Sequence, residues 1–145
     1  MRRRLIIAFI VIGALGSVLD AQSLEDVIKI GNKSVCTIAD LVAMAPAFSE
    51  SFPDDPELGE RLGLELSRFK PGNALTKARA ALVAAKALRL RKSLFFLILP
   101  IQRYAFRTLV VDGVFSATSS GGEVMSGIEL LDFVSIVCLK YGSAQ

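Results

Sequence analysis

Histidine and tryptophan are both absent from this 145-residue chain, and cysteine occurs only twice. Without His, no conventional Ser/His or Cys/His nucleophile pair can be assembled. Without His or clustered Cys, the usual zinc sites lack ligands. Asp54, Asp55 and Glu57 cluster, but in and just after the Pro-containing stretch AFSESFPDDP, which reads as a polar loop. A paired-carboxylate mechanism needs two acids held at a fixed separation. Long hydrophobic runs are scarce after the N-terminal segment: the run LFFLIL is six residues, too short to cross a bilayer as a helix. The chain therefore reads as a non-catalytic protein, with no cofactor and no metal implied.

Hydrophobic residues nevertheless make up 52% of the chain. Part of that excess lies at the start. Arg2-Arg3-Arg4 precedes the apolar stretch Leu5 to Leu19, which is followed by Asp20 and small residues. This is the pattern of a secretory signal peptide over residues 1–23, with cleavage after Ala21 or Ser23. The alternative is an uncleaved anchor, for which the stretch is short. Export would remove three Arg and one Asp, lowering the formal net charge from +3 to +1. Overall basicity then gives no reason to expect nucleic acid as a partner. The expected location is periplasmic or secreted, in the cell envelope, with membrane contact only transient, through the signal peptide. In that compartment Cys36 and Cys138 could form a disulfide, or remain two small buried hydrophobes.

The remaining chain, 24–145, reads as a single mainly α domain. Residues 23–31 are ambiguous between strand and helical turn. Thr37 to Ala45 predicts a short helix stopped by Pro46, with Ile38, Leu41, Val42 and Ala45 on one face. Leu58, Leu62, Leu64 and Leu66 suggest a second helix, weakened by Gly59 and Gly63. The Ala-rich segment Leu75 to Arg91 is the strongest helix, with Thr76 as its N-cap. LFFLIL is expected in the core or at a docking contact. Pro100 suits the start of a helix carrying Ile101, Tyr104, Ala105 and Leu109, and Gly113 suits its C-cap. Ser126 and Glu129 form a capping box for a last helix running to about Tyr141.

Three of these helix openings look alike: Thr37-Ile-Ala-Asp-Leu-Val, Thr76-Lys-Ala-Arg-Ala-Ala and Ser126-Gly-Ile-Glu-Leu-Leu, spaced 39 and 50 residues apart. Such periods are those of repeat architectures. The stretch FKPGNALTKARAALV, from Phe69, resembles the closing half of an S-layer homology (SLH) repeat, with its F-x-P-x-x-x-[IL]-T-R-A-E pattern. The stretch RYAFRTLVVDGVFS, from Arg103, resembles the opening half, and EVMSGIELL, from Glu123, the next closing half. Phe52-Pro-Asp54 resembles the F-x-D entry. The resemblance implies short helix-loop-helix repeats, two or three of them, packed into one small domain. It also implies non-covalent attachment to cell-wall polymer. The alternative is a periplasmic protein–protein interaction domain that has kept the fold and lost glycan binding, its partner being another envelope protein.

On this resemblance Lys77 stands at the motif's basic position, which Ile38 and Gly127 occupy in the other copies. Arg79 stands where Asp40 and Glu129 carry the acid, and Tyr104 where the family has its aromatic. The candidate ligand-binding residues are Thr76, Lys77, Arg79, Arg103, Tyr104 and Arg107. Lys77 and Arg79 could hold an anion at the helix N-terminus, where free N–H groups favour one, or be solvated side chains. Arg103 and Arg107, four apart, share a helix face.

Overall fold

The computed structural model describes residues 21–90 and 94–142. Seven helices and no strand occur among them: α1 (Ala21–Gly31), α2 (Ile38–Glu50), α3 (Leu58–Leu66), α4 (Lys77–Ala87), α5 (Leu94–Ile98), α6 (Gln102–Val111) and α7 (Gly127–Gly142). The domain is mainly α, as the periodicity predicts. The expected signal segment lies outside the described residues as far as residue 20; both expected cleavage points fall in the first turn of α1. No helix among the described residues is long and apolar enough to cross a membrane.

The centre of the fold is a ring of three backbone hydrogen bonds. Cys36 N–H donates to the Met125 carbonyl at 2.8 Å, Met125 N–H to Leu75 at 2.9 Å, and Leu75 N–H back to Cys36 at 2.9 Å. All three side chains are completely buried. Each residue precedes a hydroxyl cap, so α2, α4 and α7 all start from this ring. A second cycle runs in the opposite sense: Ile38 N–H donates to Asn73, Lys77 N–H to Glu123 and Gly127 N–H to Lys33, at 2.8–3.0 Å. Buried backbone polar groups must find partners; here each helix opening satisfies its neighbour. The similar openings in the sequence thus occupy equivalent places around a pseudo-threefold centre. The outer helices follow the same cycle, with α1 packing on α7, α3 on α2 and α4, and α6 on α4.

The core follows from residue size. In α4 every residue from Ala80 to Ala85 is buried, and its small side chains let α3 and α6 approach from both sides. Phe48, Phe115 and Phe133 fill the wider space, with Phe115 stacked on Phe133 at 5.2 Å between centroids. Two helices end in Schellman turns. In α6 the C′ residue is Gly113, at φ +78°, with Val114 N–H on Leu109 and Gly113 N–H on Val110, as expected from sequence. In α4 the same bonds join Leu90 to Ala85 and Arg89 to Lys86, and Arg89 takes the left-handed conformation at φ 52°. The expected run to Arg91 therefore stops short, at Ala87.

Other expectations are corrected. Residues 21–31 are helical. Helix α2 does not stop at Pro46 but runs to Glu50. Pro46 and Val42, one turn before it, both face outward, so the carbonyl left without a donor lies on the solvent side. Leu64 is exposed, whereas Leu58, Leu62 and Leu66 are buried. Cys36 and Cys138 are both free. Cys36 sits on the ring beside Met125, whereas Cys138 lies three turns along α7, about 16 Å beyond Gly127 at 1.5 Å per residue. A disulfide needs Cα atoms within about 7 Å. Burial pushes the Cys36 thiol up to about 11, so it stays protonated at neutral pH.

Candidate functional site

The position after each cap points into the molecule. Ile38 is buried there, Lys77 is 7% exposed, and Gly127 is buried. Gly127 has no room for a side chain: a Cβ would come within 1.7 Å of the Ile30 carbonyl oxygen. The Lys77 ammonium donates to Glu123 Oε2 at 2.5 Å and lies 3.2 Å from Glu129 Oε1. Burial alone would lower its pKa, but the hydrogen bonds to Glu123 and Glu129 outweigh it and hold the amine above its ordinary value. Lys77 is thus neither a solvated side chain nor an open ligand cation. Lys33 and Asp40, 2.5 Å apart, form a comparable pair beside the first opening.

The free N–H groups expected at the start of α4 are also taken. Lys77 N–H donates to the Glu123 carbonyl, Ala78 N–H to Gly121 at 2.9 Å, and Arg79 N–H to Thr76 Oγ1 at 3.3 Å. An anion here would have to be held by side chains.

Those side chains are present one step outward. An open groove of about 550 Å³ runs between the start of α4, one face of α6 and the 121–122 loop. Arg79, Arg103 and Arg107 line it together with Thr76, Phe106 and Gln102, and no carboxylate does. Arg79 Nη1 donates to the Ala74 carbonyl at 2.6 Å and its guanidinium lies 5.9 Å from the Phe69 ring centroid, which fixes its direction. Arg103 and Arg107 are exposed, one turn apart on α6, and make no ion pair among the described residues. The loop lies close because position 121 is glycine: a Cβ there would meet Ala78 at 3.2 Å and Phe106 at 3.3 Å.

Comparison with models of protein families, with curated proteins and with solved structures returns no match.

Of the six candidate residues, the structure gathers Thr76, Arg79, Arg103 and Arg107 in this groove and leaves two outside it. Lys77 turns inward, and Tyr104 packs against the core from the other side of α6. Gln102, Phe106, Gly121 and Gly122 also line the groove; Gln102 and the two glycines went unread in the sequence as site residues. Gly121 precedes the Ser126 cap by the interval at which Pro71 precedes Thr76, and the two carbonyls accept equivalent bonds, from Ala78 and Ala39. Extending the repeat register backward from the caps would have reached the loop. No group of three or more potential metal ligands occurs among the described residues.

Proposed function

We propose that this protein is an exported, non-catalytic cell-envelope module that attaches to an anionic cell-wall polymer through the Arg79, Arg103 and Arg107 groove. The observation that carries the reading is a groove lined by three guanidinium groups and no acid. Guanidinium is a planar fork of donors matched to carboxylate and phosphate, and it keeps its charge at every physiological pH. The groove is open rather than enclosed, which suits a segment of an extended polymer better than a small molecule that must be largely engulfed. Phe106 on its floor offers an apolar face for a sugar ring. The N-terminal signal pattern supports the compartment, and the helix openings cycling about one centre support a repeat architecture.

Co-sedimentation of the protein with purified cell wall tests the proposal. The wild-type chain should pellet at low salt and be released as salt rises. The double variant Arg103→Ala/Arg107→Ala should lose about tenfold or more in affinity, since a hydrogen bond to a charged group contributes about 1.5–3 kcal/mol. Both side chains are exposed, so the variant keeps its fold. Wild-type protein that stays in the supernatant overturns polymer attachment and leaves the second reading, an envelope protein as partner, to be tested by cross-linking in intact cells.

A further inference from the structure

The apolar run LFFLIL does not go into the core as a unit. Phe96 is buried, but Leu97, Ile98 and Leu99 are 55, 70 and 52% exposed, and Ile101, beyond the exposed Pro100, is 47% exposed. Five consecutive residues, all apolar, thus stand in solvent. In sequence the stretch around them has one sign of charge, although Arg68, Lys77, Lys86 and Arg89 within it pair with acids from outside it. Between Glu65 and Asp112 the chain has no Asp or Glu and ten Lys and Arg. Arg103 and Arg107 follow the apolar segment on an exposed face of α6. An exposed apolar tip with a cationic collar and no nearby acid in sequence matches the two layers of an anionic bilayer surface, acyl chains beneath and phosphate above.

We infer that the segment Leu97–Ile101 is a membrane-docking tip that enters the interface of an anionic lipid bilayer, with Arg103 and Arg107 at the headgroups. The charge pattern selects this occupant: a second copy of the chain would bring the same cations against these ones. The inference goes beyond polymer binding and does not rest on it.

The N-terminal apolar segment can itself bind lipid, so the test must report at the tip. An environment-sensitive nitrobenzoxadiazole label is placed at Ile98→Cys in the full chain, in a Cys138→Ala background; Cys36 is buried. With vesicles of equimolar phosphatidylcholine and phosphatidylglycerol, the emission should shift to the blue and be quenched by spin label at shallow acyl positions, consistent with entry of about 5–10 Å. On phosphatidylcholine alone the affinity should be about thirtyfold weaker, the effect of roughly two cations at the surface. The same label at Val111→Cys, an 86% exposed position beside Asp112, should keep its aqueous spectrum. An aqueous spectrum at position 98 on the anionic vesicles, with native circular dichroism, overturns the inference. So does a blue shift already present without vesicles: dependent on protein concentration it identifies a second copy as the occupant, and independent of it a segment of the same chain. Polymer binding is measured on lipid-free wall, so either reading can fail alone.

Discussion

Arg79 holds the third helical position of α4, where Asp40 and Glu129 stand in the sister helices. Both acids close capping boxes: Thr37 N–H donates to Asp40 Oδ2 at 2.8 Å, and Ser126 N–H to Glu129 Oε2 at 2.9 Å. Arginine cannot accept a hydrogen bond in this way, and Arg79 donates instead to the Ala74 carbonyl. Arg79→Glu would restore the box at Thr76 and remove that bond together with the Phe69 contact. A cap contributes about 0.5–2 kcal/mol and a hydrogen bond from a charged donor about 1.5–3 kcal/mol. The two terms partly offset, so the expected change by denaturant titration is a net loss of about 1 kcal/mol, while cell-wall retention drops sharply. Unchanged retention would remove Arg79 from the binding groove. Caps such as these were legible in the sequence, because a hydroxyl followed three residues later by an acid acts locally. The inward turn of Lys77 was not: its partners Glu123 and Glu129 lie some fifty residues on.

Individual elements show where local rules yield to packing. Pro46 lies inside α2, yet the helix continues, because Leu41, Met44 and Phe48 are buried on both sides of it. The preference of proline to end a helix, about 3 kcal/mol relative to Ala, is outweighed by that shared apolar face. Pro46→Ala should therefore stabilise the protein, by about 1–3 kcal/mol after allowance for the freer unfolded chain. An increase in the urea midpoint at constant slope checks this. A decrease would mean that the proline itself helps to place Phe48 against Phe133. The run LFFLIL divides between the two expectations: Phe96 is buried, whereas Leu97, Ile98 and Leu99 stay exposed, because the short α5, packed chiefly on α6, offers too little neighbouring surface to cover them. Helix α3 is held more firmly. Arg61 pairs with Asp55 and Glu57 and donates from Nε to the Ala87 carbonyl at 2.8 Å, so two of the acids that read as a polar loop help to hold the residue that caps α4.

At the scale of the whole molecule, ion pairs near the helix openings set the response to pH. Glu123 and Glu129 have pKa values below their ordinary 4.5 and Asp40 below 3.8. For Glu123 the main cause is the Lys77 hydrogen bond; for Glu129 and Asp40, burial acts upward but is outweighed by the hydrogen bonds they accept. Depressed acids stabilise the fold fully above their unfolded values, and that stability is lost as pH falls through the folded ones. Lys77 and Lys33 are raised above 10.5, so their contribution is complete below that value and lost as pH rises through the folded one. Thermal midpoints should form a plateau between about pH 5 and 9 and fall on either side, the buried Cys36 thiol, raised from 9.0 to about 11, adding to the alkaline loss. Lys77→Met should shrink the acid limb by removing the partner of both glutamates; an unaltered limb would assign the acid sensitivity to other groups. The helical class and the similarity of the three openings were legible in the sequence. The hydrogen bonds that close them into a cycle were not, since no residue pattern states which carbonyl a distant amide will meet.

That cycle also sets the time at which the chain can become itself. Until Met125 has been made, Cys36 N–H lacks this acceptor and the Leu75 carbonyl this donor. A chain emerging N-terminus first therefore cannot close the ring until most of its length is present.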